Sequence, residues 1–497
     1  MKKIKYILFA LLFVFTSCED WLNVNDDPNV PSEVSVEFVL PSGITSVAYV
    51  MGGRYQVLGA LWSQHWTQSL GASQYTGLDS YDINSSTYDG QFGELYTGAL
   101  ENFDYIRNET RQTENWSFYL MATVMQAYTF QVLIDIYDQV PFSQALKGEN
   151  ENFTPGYEDG QVVYDSLILR IDEALDKDFE AETAIDAGKN DILFAGDIDT
   201  WIAFANSLKL KMYLRQSYAR PEEAKNGIQK LFDDEVDFLS EDAAVIQFSD
   251  ESGRRNPLYS TEIVFFGNNP NLVISNTFLS YMNEQGDLDR LDRMFLFPES
   301  GGGHNGLAQG NYNDPDEPAG TNSSSYSKPF ISPLQPVYLM SATESYLLQA
   351  EAIVRYGVDE YSVAKENFER AIDFAFLRLG LTNSEEYYGP GDVYQFPPEG
   401  SELEDIIHHI IVQKWVSLAN TQSLETFFEQ NRTGYPKVSE VPYDNTNYEP
   451  GEFTISVNNV TSGRFPKRLI FPESEYSGNP NTPDKKEVWE KVWWDIN

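Results

Sequence analysis

Two stretches of the chain gather side chains able to hold a sugar. Residues 62–81 carry Trp62, His65, Trp66, Gln68, Gln74, Tyr75, Asp79 and Tyr81. Residues 304–326 carry His304, Asn305, Asn311, Tyr312, Asn313 and Tyr326. Rings alternate there with amides, hydroxyls and carboxylates. A pyranose has apolar C–H faces and polar edges, so a ring packs on the face while Gln, Asn or Asp bonds the hydroxyls. Trp62 reads as core. Ligand contact is assigned to Trp66, Gln68, Tyr75, Asp79 and Tyr81 in the first stretch, and to Tyr312 and Tyr326 in the second.

Bond-breaking chemistry finds no such support. The chain lacks G-x-S-x-G, H-E-x-x-H, the P-loop pattern and G-x-G-x-x-G. Gly301, Gly302 and Gly303 have no following Lys-Ser/Thr and read as a flexible turn. His408 and His409 are adjacent on an expected helix and point to different faces; with His65 and His304 they make no metal set by spacing. A glycosidase needs two carboxylates at a set separation. Among 76 Asp and Glu, pairs are inevitable and carry no argument. No catalytic residue, metal ligand or required cofactor is assigned. The stretch from Asp314 to Glu317 offers oxygen ligands of the kind calcium takes, without a spacing that argues for it.

Composition bounds the rest. The 497 residues hold 34 Lys and Arg against those 76 acids, a net charge of −42. Phosphate binding needs cations, so nucleic acid is excluded as a general partner. Hydrophobic residues make up 41%, enough for a large core. Cys18 is the single cysteine, which excludes an intrachain disulfide. It follows a signal-peptide pattern over residues 1–17: Lys2, Lys3 and Lys5, an apolar run from Tyr6 to Phe15, then Thr16 and Ser17. A thiol at that cut can be acylated, and two or more acyl chains anchor a protein stably. A lipoprotein box usually has Leu where Phe15 stands. Residues 18–33 read as a lipidated tether, and no later segment reads as long and apolar enough to span a bilayer. Residues 34–497 are expected to form one domain.

Helical periodicity dominates that domain. Helices are expected over Phe118–Tyr137, Val162–Phe179, Trp201–Tyr218 (capped by Asp199 or Thr200) and Leu403–Leu418. Glu452–Val460 is the one strand candidate. From Leu348 to Ala371, small and apolar residues follow the tetratricopeptide spacing that lets two helices approach closely. Long loops at 74–91, 251–271, 299–335 and 381–402 are rich in Gly, Pro, Asn, Ser and Tyr, and binding residues sit on such loops.

Several stretches together resemble the SusD/RagB family of nutrient-binding outer-membrane lipoproteins. They are residues 18–29, 133–145, 196–210, 350–352, 426–436 and 464–479, including Asp135, Pro141, Trp201, Asn206, Glu351, Arg432 and Pro466. One departure is Gln430-Asn431-Arg432, where a basic pair is usual. The resemblance implies a mainly α fold of about four tetratricopeptide-like helix pairs with loop-rich insertions and little β structure. It implies a SusC-like TonB-dependent transporter as partner, capture of an oligosaccharide without turnover, and surface export through the acidic residues after Cys18. Relatives that serve peptide uptake keep peptide as the alternative ligand. Family motifs name no ligand residues here.

Overall fold

The computed structural model describes residues 34–148, 152–267, 271–313 and 322–497. The signal segment, Cys18 with its tether, and the Asp314–Glu317 stretch lie outside the described residues. Among the described residues, twelve helices have eight or more residues: α1 Val36–Met51, α2 Arg54–Trp62, α3 Glu101–Thr113, α4 Trp116–Tyr137, α5 Gly160–Leu175, α6 Ile198–Arg215, α7 Pro221–Asp233, α8 Asn276–Gln285, α9 Ala342–Tyr356, α10 Tyr361–Arg378, α11 Leu403–Ser417 and α12 Ser423–Thr433. The mainly α architecture is as expected. The pairs α3–α4, α5–α6, α9–α10 and α11–α12 pack within themselves and against their neighbours. In α9–α10, Ala350, Ala352, Ala364 and Ala371 are buried at the contact, and Gly357 ends α9 with a left-handed φ of 61°.

Local chemistry explains the boundaries. The N-cap of α6 is Asp197, whose carboxylate accepts from the amides of Asp199 and Thr200 at 3.1 and 3.3 Å. The cap therefore falls two residues before the nearer one expected. Helix α4 falls where its apolar spacing predicts, but it does not keep a solvent face. Instead every residue from Ser117 to Tyr137 is buried, because helices pack on all sides of it. By length and hydropathy α4 and the α1–α2 stretch could each cross a membrane, contrary to expectation; the burial of α4 gives its apolar character a core role. Gly59 is where α2 and α12 meet. A Cβ there would collide with the backbone of Ser423 and Leu424.

Charges also bind the helices. Arg215 on α6 pairs with Asp135 on α4 at 3.0 Å and with Glu429 on α12 at 2.9 Å, and also with Glu425. Arg432 grips Glu351 on α9 with two bonds of 2.7 Å and also pairs with Glu429. Lys211 holds Glu344 at 2.8 Å, Lys414 lies 3.4 Å from Glu429, and Arg355 holds Glu351 at 2.6 Å. The five cations and five carboxylates are all buried or nearly so. The indole of Trp494 donates to Asp135 at 2.9 Å, which draws the far end of the chain into this cluster.

Strands are few, and all pair antiparallel in twos: β1 Trp66–Gln68 with β5 Leu272–Ile274, β2 Gln139–Pro141 with β3 Tyr157–Asp159, β4 Ala243–Val245 with β8 Val337–Met340, and β6 Phe295–Leu296 with β7 Lys328–Pro329. Glu452–Val460 forms no strand; Phe453 makes one isolated bridge to Val438.

Candidate binding site

The two sugar-like stretches meet in one layered loop face. β1 pairs with β5 in the register Trp66 to Ile274 and Gln68 to Leu272. The amide of Ile274 donates to the Ser327 carbonyl at 2.9 Å, and that of Ser327 to the Asn305 carbonyl at 2.8 Å. Asp79 ties these layers. Its carboxylate accepts from the Thr67 hydroxyl at 2.8 Å, the Gln68 amide at 2.9 Å and the Gly310 amide at 3.2 Å, and from the Gln309 side chain. Burial pushes its pKa up to about 6, with those donors opposing the rise. The amide of Gly71 donates to the Tyr312 carbonyl at 3.2 Å, closing the junction.

Six of the seven assigned residues are buried and face inward. Trp66 donates to the Asn420 side chain at 2.7 Å. Gln68 accepts from the Tyr75 amide at 2.6 Å. Tyr81 holds a left-handed φ of 64°, and its hydroxyl accepts from the Ser456 amide at 3.2 Å. Tyr326 packs with Val273 and Leu307. The Tyr75 hydroxyl donates to Glu262, whose other oxygen accepts from Asn271 at 3.2 Å. Burial, then the Glu262 charge, raises the Tyr75 phenol far above its usual range; burial likewise raises Glu262. Tyr312 alone of the seven is partly open to solvent. As the chain stands, the assigned residues build the frame of the face more than its surface. The donors and acceptors that a sugar would use are already engaged inside.

The open surface lies beside that frame. A cleft of about 420 Å³ is lined by Glu262, Ile263, Asn271, Leu296, Lys328 and Ile331, among others. Lys328 pairs with Glu299 at the cleft edge and holds that carboxyl below its usual range. Phe297, half exposed, lies flat on His304 with ring centroids 4.3 Å apart and planes 19° apart. His304 is itself fixed by Ser327 and Asp292, each at 2.9 Å. Phe265, at the end of the segment that carries Glu262, is 80% exposed and lines a different cleft, with Tyr49, Phe248 and Phe266. A ring backed by a fixed neighbour costs little entropy to use as a stacking surface. Phe265, Phe297, Asn271, Glu262 and Lys328 were not singled out from sequence. The signal for the rings was there as apolar runs in or beside the expected loops, Val264-Phe265-Phe266 within 251–271 and Phe295-Leu296-Phe297 just before 299–335.

The family model described as starch-binding associating with outer membrane matches residues 28–454. No curated protein matches. Among solved structures, a SusD homologue from Bacteroides uniformis shares 21% identity with a TM-score of 0.73, covering 93% of this chain and 100% of its own. A SusD/RagB family protein from Bacteroides thetaiotaomicron shares 22% with a TM-score of 0.72, over 94% and 100%. A chitin-binding SusD homologue from Flavobacterium johnsoniae shares 19% with a TM-score of 0.74, over 92% and 99%.

Proposed function

We propose, from the premise that the chain belongs to the SusD-like family, that it captures an oligosaccharide on the loop face and passes it unaltered to a TonB-dependent barrel in the outer membrane. The observation that carries the reading is a solvent-open ring, Phe297, adjacent in the chain to a residue that lines a cleft with polar groups. Phe297 is backed by His304, and the residue before it, Leu296, lines the cleft together with the Lys328–Glu299 pair and the buried Glu262–Asn271 pair. That is the pairing of apolar plane and polar edge that a sugar ring matches. In this reading Trp66, Gln68, Tyr75, Asp79, Tyr81 and Tyr326 hold the face in shape, and Tyr312 reaches the ligand. Cys18, acylated after removal of residues 1–17, anchors residues 34–497 to the outer leaflet through the 18–33 tether.

Calorimetry of residues 19–497 with maltoheptaose, chitohexaose and a peptide pool tests this, with products checked by chromatography. Saturable heat with a glycan that stays intact is expected, at a Kd between millimolar and micromolar, about −4 to −8 kcal/mol. Phe297→Ala is expected to weaken it about tenfold, roughly 1.4 kcal/mol. Heat with peptides alone would transfer the role to peptide uptake, and fragmentation of the glycan would replace capture by hydrolysis. Loss of acylation in Cys18→Ala, read by mass spectrometry, checks the anchor.

A further inference from the structure

A second cleft, of about 270 Å³, opens on the other side of the segment that follows β6 in the pairing β6–β7. Residues 328–332 are the shared wall. Lys328, Pro329 and Ile331 line the first cleft, while Phe330 and Ser332 line the second. Three arginines also line the second cleft, Arg290, Arg293 and Arg378, and no acidic residue does. In a chain with 76 acids for 34 bases, that is an unexpected balance.

The three are not equivalent. Arg290 is buried and answered by Asp287, with its Nε 2.7 Å from the carboxylate. Arg378 lies over the Tyr338 ring at 5.1 Å and donates to the Ser417 carbonyl at 2.7 Å, and no carboxylate answers its charge among the described residues. Arg293 is exposed and has no ion-pair partner among the described residues. Phe330 and Leu334, each about half exposed, give the same cleft an apolar rim. Two unanswered guanidiniums beside an apolar ring match a planar anionic group carried on a ring with an apolar face.

We infer that the second cleft takes a carboxylate-bearing sugar, a hexuronate, so that the captured oligosaccharide is acidic. This rests on the glycan reading of the first cleft. The shared wall lets one oligosaccharide run from one cleft into the other, with its carboxylate between Arg293 and Arg378.

Tri-galacturonate and its fully methyl-esterified form differ in that charge and in the methyl groups that mask it. Calorimetry of residues 19–497 is expected to show the acid binding at least tenfold more tightly than the ester. Arg293→Gln is expected to erase most of this preference. Arg293 is exposed and makes no hydrogen bond or ion pair among the described residues, so its variant should melt as the parent does; Arg378→Gln is a second arm wherever its melting temperature is unchanged. Equal binding of acid and ester, no binding of the acid, or a preference that survives Arg293→Gln would overturn the inference. Maltoheptaose and chitohexaose in the same series separate the two claims. Their binding without an acid preference leaves capture standing and removes only the hexuronate.

Discussion

Burial moves the titrations of His65 and Asp79 in opposite directions. His65 is enclosed by Ser63, Ser423 and the Trp415 carbonyl, and burial lowers its pKa to about 3. Below pH 6.5 the unfolded chain takes a proton that the folded chain refuses. The stability present above that pH is lost as the pH falls toward 3, on the order of 5 kcal/mol over the whole window. Calorimetric melting of His65→Gln should therefore show a shallower fall between pH 6.5 and 4 than the parent; equal slopes would contradict the assignment. Asp79 runs the other way. Its folded pKa of about 6 means that its contribution is present below its ordinary value of 3.8 and lost as the pH rises through 6. A carboxyl-carbon titration by NMR should place its midpoint near 6. The residue types of this loop were legible in the sequence, but their orientation was not. Aromatics among amides and a carboxylate describe a sugar site and a satisfied buried network equally well. Their orientation depends on partners 187 to 375 residues away, Glu262, Asn420 and Ser456, which no local spacing announces.

Helix boundaries follow from caps and close approaches that single residues control. Asp197→Ala removes the acceptor for two amides at the start of α6 and should cost about 1 kcal/mol in urea unfolding. Gly59→Ala should cost more, about 1–3 kcal/mol, because the added methyl meets the backbone of α12, which cannot rotate away as a side chain does. The helices were readable because apolar spacing is local. The α9–α10 hairpin was plain from alanines at fixed intervals, and Leu403–Ser417 ended within a residue of expectation. Helix α4 gave up less, since periodicity shows which faces are apolar and its neighbours come from distant sequence. The Glu452–Val460 stretch has strand-like residues but only the bridge at Phe453, and β propensity without a partner edge makes no strand.

Across the molecule, three of the six stretches that carry the family resemblance converge on the buried ionic cluster. Asp135, Glu351 and Arg432 come from three of the quoted stretches and meet within one set of ion pairs. Their separate places in the sequence told of common descent, and only the fold shows the common task. Such a cluster is neutral as a set and costly when broken, because removing one member strands a buried charge. Arg432→Gln should lose about 3–5 kcal/mol by urea unfolding, whereas surface Lys230→Gln should change stability by less than about 0.5 kcal/mol. The same cluster imposes an order in time. A chain made or threaded from its N-terminus presents Asp135 and Arg215 long before α12 supplies Glu425 and Glu429, and longer still before Trp494 arrives to bond Asp135. Asp135 and Arg215 answer each other at once, whereas the remaining nitrogens of the Arg215 guanidinium wait for Glu425 and Glu429 and are better left in water than buried until these arrive. The cluster is therefore complete only once the C-terminal segment is present, and a chain cut short of α12 would leave its centre without two of its carboxylates.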